Sequence, residues 1–308
     1  MQEQLLVENP DDKTIRHESA RAYLCLAVLE NSLASYDESI VACDTGLDIV
    51  NYFPEDEWTP DLRGFHGHLI LAKARALTDL GKTQESLELI AGVEFDPKNI
   101  VAESSKFLES ARLKIMVGEY QDAWDTAERG LIMMQTRPDH LNSYAELIAK
   151  SHISFLLFLR GSAENQLARW HEAEQSLQEA IQTLEDIMPM MGYHETVSSS
   201  LAEAYGILGV AQMALGNYES AIKNIQTSIK GYTYLYDSNS KVIRYAKQKL
   251  AYKIDLAECY LNTDVVESAR ALIAEMEKET DALSLDDEQL EYFSDELSKL
   301  KELSESIE

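Results

Sequence analysis

Apolar and small residues recur at steps of three and four through most of the chain, which is the spacing of one face of an α-helix. Leu201, Tyr205 and Leu208 share such a face before residue 216, and Ala221 and Ile225 share another after it. Two helical stretches joined by a tight turn predict an antiparallel helical pair.

A short motif marks the turn of each predicted pair: a small residue, an aromatic residue two places later and another small residue three places after that. The clearest copies are Gly118-Glu-Tyr120-Gln-Asp-Ala123 and Gly216-Asn-Tyr218-Glu-Ser-Ala221. Weaker copies begin at Ala34, Gly81, Ala168 and Asp264. The last small residues fall at 39, 86, 123, 173, 221 and 269, so the spacings are 47, 37, 50, 48 and 48 residues. This regularity predicts six tandem helical pairs.

The motif resembles the tetratricopeptide repeat (TPR), in which small and aromatic residues hold fixed places. The best copy carries Leu208, Gly209, Gly216, Tyr218 and Ala221. The resemblance covers roughly residues 14–280, but the spacing here exceeds the family period of about 34 residues, so we expect a long-helix variant. The resemblance implies an all-α, right-handed α-solenoid of antiparallel helix pairs.

We expect one continuous superhelical domain over residues 1–308, closed by a C-terminal capping helix. The predicted repeats are residues 14–53, 62–97, 100–137, 140–188, 194–236 and 240–280, and the cap is 285–308. Its apolar stripe contains Leu290, Phe293, Leu297, Leu300 and Ser304. Proline disrupts helix interiors, and all six prolines are expected before the first repeat or at joints between repeats: Pro10, Pro54, Pro60, Pro97, Pro138 and Pro189.

The net charge and the composition limit the partners and the location that can be expected for the chain. A formal net charge of -27 argues against nucleic acid as a partner, because phosphates would be repelled. No apolar run is long enough to cross a bilayer, so no membrane partner is expected. Three cysteines without a CxxC pair suit a reducing compartment, and the N-terminal residues lack a signal-peptide pattern. We therefore expect a cytoplasmic location, while the oligomeric state is left open.

The chain carries no phosphate-binding glycine loop, nucleophile elbow or HExxH motif, so we expect no catalytic residue and no cofactor. His66 and His68 are close in sequence, but no cysteine or acidic residue accompanies them at ligand spacing, and we expect no metal site. The acid pairs Asp11-Asp12 and Asp286-Asp287 precede helical stretches and are expected to stabilise helix N-termini.

By resemblance, the first helix of each TPR pair lines the inner, concave surface. Arg75 and Arg112 then occupy the same inner place in consecutive repeats, where they could clamp a carboxylate or an acidic peptide. The other candidate groove residues are His68, Phe155, Phe158 and Asn165. The alternative is that the arginines neutralise Asp79 and Glu109 while the phenylalanines pack between helices.

Two further features have two interpretations each, and two more have one. Six tyrosines fill gaps between helices or form a binding surface, and the former is favoured: Tyr232, Tyr234, Tyr236, Tyr245, Tyr252 and Tyr260. The segment 52–60, with Phe53 and Trp58, contacts a partner or covers a joint. Lys73 and Arg160 lie where the family prefers apolar residues and are expected to be paired, Arg160 with Glu164. Cys43 is expected to be buried in helix packing.

The sequence therefore predicts a non-catalytic interaction module that binds a peptide or protein segment in its groove. The alternative is a regulatory sensor arm of a larger kinase, cyclase or transcription regulator that responds to a peptide signal. An α/α enzyme is a weaker third possibility, because it requires paired acids facing a cavity.

Overall fold

The fold is described from a computed structural model, which covers residues 8–9, 11–96, 99–136, 142–191 and 195–307. Within these ranges the ordered elements are α-helices and one short 3₁₀ turn, with no strand. The chain divides into two compact units, Met1–Ala163 and Glu164–Glu308, which are described in turn. The single-domain interpretation stays a prediction.

Unit 1 consists of consecutive helices arranged in pairs. Its helices are α1 (Lys13–Ser32), α2 (Tyr36–Asn51), α3 (Pro60–Asp79), α4 (Thr83–Ala91), α5 (Ile100–Met116), α6 (Tyr120–Gln135) and most of α7 (Ser143–Gln166), with the 3₁₀ turn Glu55–Glu57 between α2 and α3. Each helix packs on the next from α1 to α6, and the first helices of successive pairs also touch, α1 with α3 and α3 with α5.

Unit 2 continues the same pattern. Its helices are α8 (Trp170–Met191), α9 (Glu195–Ala214), α10 (Tyr218–Ser238), α11 (Ile243–Asn262), α12 (Val266–Ala282), α13 (Asp287–Tyr292) and α14 (Ser294–Ile307). Each of α8 to α11 packs on the next helix along the chain, and α14 packs on both α11 and α12. This sequential packing confirms the predicted class, a TPR-like α-solenoid with a C-terminal cap.

All six predicted turns have the same backbone geometry. The small residue of each motif adopts a left-handed conformation, with φ between 57° and 79°: Ala34, Gly81, Gly118, Ala168, Gly216 and Asp264. The next residue donates its N–H to a carbonyl five positions earlier, as Asn217 does to Gln212 at 2.8 Å and Ser35 does to Glu30 at 2.9 Å. This is the Schellman end of a helix, in which a left-handed residue satisfies the last free carbonyl groups.

The last small residue of each motif lies where the paired helices meet. All six are fully buried: Ser39, Ser86, Ala123, Ala173, Ala221 and Ala269. A larger side chain there would push the helices apart, so the repeated small residue fixes the close approach of each pair. The sequence motif is thus confirmed in both of its parts, the turn and the contact.

The helix termini confirm the role expected of the acid pairs. The Asp12 carboxylate accepts hydrogen bonds from the backbone N–H groups of Thr14 and Ile15. Asp286 and Gln289 form a capping box at the start of α13. In each case the carboxylate satisfies donors that the helix leaves unpaired.

Two sequence expectations need correction. Pro189 lies inside α8, which runs on to Met191, so this proline does not mark a joint. The cap consists of two helices rather than the single helix predicted, because the chain turns at Phe293. Leu290 is exposed before this turn, whereas Phe293 and Leu300 are buried against α11 and α12. The predictions for Pro10, Pro97 and Pro138 concern positions outside the described residues.

Candidate functional site

Arg75 and Arg112, which the sequence predicts on the inner surface, lie on the first helices of the second and third pairs. The first of these helices, α3, begins at Pro60, and the Thr59 side chain caps it by accepting a hydrogen bond from the N–H of Leu62 at 3.2 Å. Asn99 caps α5 in the same way, accepting from the N–H of Ala102 at 3.1 Å. Contact between α3 and α5 brings Arg75 towards Arg112.

Two acidic residues join these arginines into one group, which we name the arginine cluster: Arg75, Asp79, Glu109 and Arg112. Arg112 donates from Nε to Glu109 Oε2 at 3.0 Å, and its Nη1 lies 3.7 Å from Asp79 Oδ1. Arg75 Nη1 lies 3.9 Å from the other Glu109 oxygen. Glu109 therefore bridges the two guanidinium groups, and the formal charge of the cluster is zero.

Burial and charge act in opposite directions on Glu109. Burial alone would raise its pKa, but the guanidinium groups of Arg112 and Arg75 hold the pKa below its ordinary value. The side chains of Arg75 and Arg112 are 34% and 24% exposed, whereas those of Glu109 and Asp79 are 20% and 14% exposed. The arginine side chains are thus somewhat more exposed than the acidic side chains with which they pair.

The structure places His68 in a packed environment. Its ring lies 5.0 Å from that of Phe95, and burial lowers its pKa. His152 on α7 interacts electrostatically with His68, and its Nδ1 lies 2.6 Å from Ser104 Oγ. Burial first, and then the neighbouring His68, lower the pKa of His152 to about 4. Both imidazoles are therefore neutral at pH 7, which suits packing better than anion binding.

The remaining candidate residues lie on α7. Phe155 is half-buried, whereas Phe158 is buried. Asn165 is buried as well, and its side-chain carbonyl oxygen has no hydrogen-bond partner among the described residues. Asn165 belongs to unit 2 and the arginine cluster to unit 1. The structure thus joins Arg75 to Arg112 and leaves the α7 residues as separate candidates.

The segment between α2 and α3 forms a second surface feature. Phe53 is buried in the apolar core below it, and the indole N–H of Trp58 donates to the Phe53 carbonyl oxygen at 3.0 Å. A cavity of about 610 Å³ lies here, lined by Asn51, Phe53, Pro54, Glu55, Trp58, Arg63, His66, Gly92 and Glu94. The ring centroids of Trp58 and His66 are 4.6 Å apart, and the guanidinium carbon of Arg63 lies 5.7 Å from the Trp58 centroid. The segment therefore packs against the start of α3 and covers the joint between the first two repeats.

The charged residues at unusual repeat positions are paired. Lys73 donates to Asp44 at 2.7 Å, and Arg160 donates to Glu128 at 2.8 Å. The pairing of Arg160 with Glu164 stays a prediction, and the sequence missed the contact with Glu128, which lies 32 residues earlier and becomes adjacent only when α6 packs near α7. No local sequence signal could have identified it.

Five of the six predicted tyrosines, and Cys43, follow the packing interpretation, whereas Tyr234 is exposed. Tyr232, Tyr245 and Tyr252 are buried in one core cluster of unit 2, with the rings of Tyr232 and Tyr252 stacked at 5.9 Å. Cys43 is fully buried, and burial raises the pKa of its thiol to about 12. A thiol with such a pKa is unreactive at neutral pH, so Cys43 is a packing residue.

Comparison with known proteins supports the fold class. No family model matches the chain, and no curated protein matches it. Among solved structures, BtubC (BKLC) from P. vanneervenii is similar with 14% identity and a TM-score of 0.60, over 80% of this chain and 92% of that one. The apo form of RapI is similar with 9% identity and a TM-score of 0.56, over 97% of this chain and 79% of that one. At these identities the likeness concerns the fold alone, and the fold is that of a TPR-like helical repeat.

Two other kinds of site are absent from the described residues. No helix in these ranges combines the length and apolar character that a membrane crossing requires. No group of three or more histidine, cysteine, aspartate or glutamate side chains in these ranges is arranged to hold a metal ion.

Proposed function

We propose that the chain is a non-catalytic interaction module that binds a peptide or protein segment on the inner face formed by the first helices of its repeats. The observation that carries this proposal is the arginine cluster. Two guanidinium groups from consecutive repeats are fixed by shared carboxylates and remain partly accessible. A fixed guanidinium loses little side-chain freedom on binding, so such a site is pre-organised for a carboxylate.

The charge balance of the cluster defines the ligand more closely. An acidic ligand must compete with Glu109 and Asp79 for the two guanidinium groups. The ligand chemistry that fits is therefore a carboxylate that contacts Arg75 and Arg112 while both arginines stay paired with the acids. Met116 is exposed and its sulfur lies 3.6 Å from Arg112 Nη1, which supplies an apolar contact beside the charge. A peptide with an acidic residue next to an apolar one matches this surface.

The other candidate residues are proposed as separate contacts, each on its own unit. Phe155 offers a half-buried aromatic surface in unit 1, and in unit 2 the unpartnered carbonyl oxygen of Asn165 is a candidate acceptor for a peptide N–H. His68 and Phe158 support the face from within by packing. We further propose a protein or peptide partner rather than nucleic acid, because the net charge of -27 opposes phosphate binding. Three free cysteines favour the cytoplasm as the location.

The test begins with peptides selected from a random displayed library against the wild-type chain. Their affinity is then measured by fluorescence anisotropy for the wild type and for the double variant Arg75→Glu/Arg112→Glu. Loss of two charge-assisted contacts of about 1.5 kcal/mol each predicts a loss of about 100-fold. A matched control is Arg270→Glu/Lys301→Glu, which makes the same charge change at two exposed positions of unit 2.

A second variant separates ligand binding from a merely structural cluster. Glu109→Gln removes the negative charge that competes for both arginines but keeps a side-chain oxygen that can accept the hydrogen bond from Arg112, so acidic peptides should bind several-fold more tightly. Glu267→Gln is the control, because Glu267 also pairs with an arginine but is exposed. If no peptide is selected, or if Arg75→Glu/Arg112→Glu binds the selected peptides like the wild type with helicity unchanged, the proposal is wrong.

The alternative, a sensor arm of a larger signalling protein, shares the same ligand site. It additionally requires that peptide binding change the arrangement of the repeats. Small-angle scattering with and without a selected peptide distinguishes the two, since a rigid module predicts an unchanged scattering profile.

A further inference from the structure

One repeat place carries three different side chains on the first helices of unit 1: Val28 on α1, Arg75 on α3 and Arg112 on α5. Each of these residues lies six positions before the left-handed residue that follows its helix. The two arginines belong to the arginine cluster, whereas Val28 is apolar and 53% exposed. We name these three residues the first-helix row.

Contacts between the helices hold the first-helix row together. The helices α1 and α3 pack on each other, and so do α3 and α5. The side-chain amide of Asn31, one turn after Val28, donates to the carbonyl oxygen of Ala72 at 2.9 Å. Ala72 lies one turn before Arg75, so the part of α1 that carries Val28 packs against the part of α3 that carries Arg75. Between α3 and α5 the shared carboxylate of the arginine cluster makes the equivalent link.

The next helix of this series, α7, does not extend the row. Its residue at the same place is Ser162, which is buried. The Ser162 hydroxyl donates to the carbonyl oxygen of Phe158 at 2.8 Å, so it is used within its own helix. A ligand on the row therefore meets one apolar and two cationic side chains, in the order of the chain.

The spacing of the row matches one peptide conformation. Helices that pack on each other lie about 8–10 Å apart. A peptide in the polyproline II conformation advances about 3.1 Å per residue and repeats its side-chain direction every three residues, which is about 9 Å. A β-strand repeats its side-chain direction every two residues, about 7 Å, and fits less well. Residues i, i+3 and i+6 of a polyproline II segment therefore reach the three members of the row.

We propose that the first-helix row selects a polyproline II peptide with an apolar residue at i and acidic residues at i+3 and i+6, counted from the end that lies on α1. These residues contact Val28, Arg75 and Arg112 in turn. Charge complementarity selects the two acidic residues. Val28 disfavours a third one, because its carboxylate would lose water without gaining a partner. This inference rests on the proposed function and deepens it, since it defines the sequence class and the conformation of the peptide.

A substitution at Val28 tests the order of the contacts. A peptide selected by display against the wild-type chain is compared by fluorescence anisotropy with a derivative that carries glutamate at i. The wild type should bind the selected peptide at least about tenfold more tightly than the derivative. Val28→Arg should reverse this preference, because the new guanidinium group pairs with the added carboxylate. The matched control is Leu29→Arg, since Leu29 is the next residue of α1 and is also 53% exposed, and it should keep the wild-type preference.

Disulfide capture by Cys25 supplies an independent measurement, because Cys25 is exposed and lies one turn before Val28 on the same face of α1. Cysteine replaces residue i, i+3 or i+6 of the selected peptide, and each derivative is equilibrated with the chain in a thiol-exchange buffer. A disulfide requires Cα atoms within about 7 Å, so cysteine at i should give at least about tenfold more mixed disulfide than cysteine at i+6. Cys25→Ser should abolish the product, since Cys43 and Cys259 are buried.

The inference and the proposed function fail in different ways. If no peptide is selected, or if Arg75→Glu/Arg112→Glu leaves the affinity unchanged, both are wrong. If that double variant loses binding while Val28→Arg keeps the wild-type preference, the inference alone is overturned. Reversal of the preference by Leu29→Arg, or equal capture of cysteine at i and at i+6, also overturns it.

Discussion

The left-handed turn residue gives a quantitative test of the repeat geometry. Six equivalent turns have φ near +60° to +80°, yet three carry glycine and three carry Ala34, Ala168 or Asp264. A side chain in this conformation costs about 1–2 kcal/mol, while glycine costs about 0.4–1 kcal/mol more in unfolded-chain entropy. The difference predicts that Gly216→Ala lowers the free energy of unfolding by roughly 1 kcal/mol and that Ala168→Gly raises it by a similar amount.

Sterics do not complicate this comparison. A Cβ atom built on Gly216 has no other atom within 4 Å, so the substitution adds strain without a clash. Ala168 is exposed, so its methyl group contributes little packing. The backbone conformation is therefore the main variable at both positions.

Urea and thermal unfolding of the two variants measure the effect. A change of 1 kcal/mol should move the thermal midpoint by roughly 2 °C, downwards for Gly216→Ala and upwards for Ala168→Gly. Ala271→Gly is the control, because Ala271 is exposed in the middle of α12, where glycine should cost about 1 kcal/mol. The reasoning is refuted if Ala168→Gly destabilises the chain as Ala271→Gly does.

Three more predictions concern buried groups. The pKa of His152 is about 4 in the folded chain and about 6.5 in the unfolded chain, so the unfolded chain binds more protons between these two pH values. Up to about 3 kcal/mol of stability should therefore be lost as the pH falls from 6.5 to 4. Asp255 has the opposite effect, because burial and then the nearby Glu258 raise its pKa to about 7. Stability should therefore fall as the pH rises from about 4 to 7, and Asp255→Asn should be stabilising at pH 8 but not at pH 4. Phe293→Ala should lower the free energy of unfolding by about 3–5 kcal/mol, because the ring is fully buried against α11 and α12.

Each of these predictions has its own check in urea unfolding curves. His152→Gln should flatten the acid side of the stability profile, and an unchanged slope would contradict the account. For Asp255→Asn, a gain that is the same at pH 4 and pH 8 would show that the carboxyl charge is not responsible. Leu290→Ala is the control for Phe293→Ala, since Leu290 is exposed and its removal should cost less than about 0.5 kcal/mol.

Local sequence rules predicted the repeating part of the fold well. The motif from Gly216 to Ala221 contains both the left-handed turn and the small contact residue, and each follows from a steric requirement of one or two residues. Such requirements leave a direct sequence signal. The turn at Phe293 has no such sequence signal, because the apolar stripe continues through it. Only packing on α11 and α12 decides where the helix ends.

The candidate site could be predicted only in part. Repeat register placed Arg75 and Arg112 on neighbouring helices, and the pairing of Arg112 with Glu109 is visible as a spacing of three residues. The second contact of Glu109, with Arg75, spans 34 residues and depends on how α3 packs on α5. His68 was placed on the inner face by register, but Phe95, in a segment without periodicity, covers it.

The central claim is that a peptide binds beside the arginine cluster, and site-specific photo-cross-linking tests it most directly. A benzophenone amino acid replaces Met116, which is 52% exposed and touches Arg112, or Ile132, which is 53% exposed on α6. A peptide selected by display is added and the cross-linked product is measured by mass spectrometry. We predict a peptide adduct at position 116 that an excess of unlabelled peptide removes, and none at position 132. Equal cross-linking at both positions, or cross-linking at 132 alone, would contradict the account.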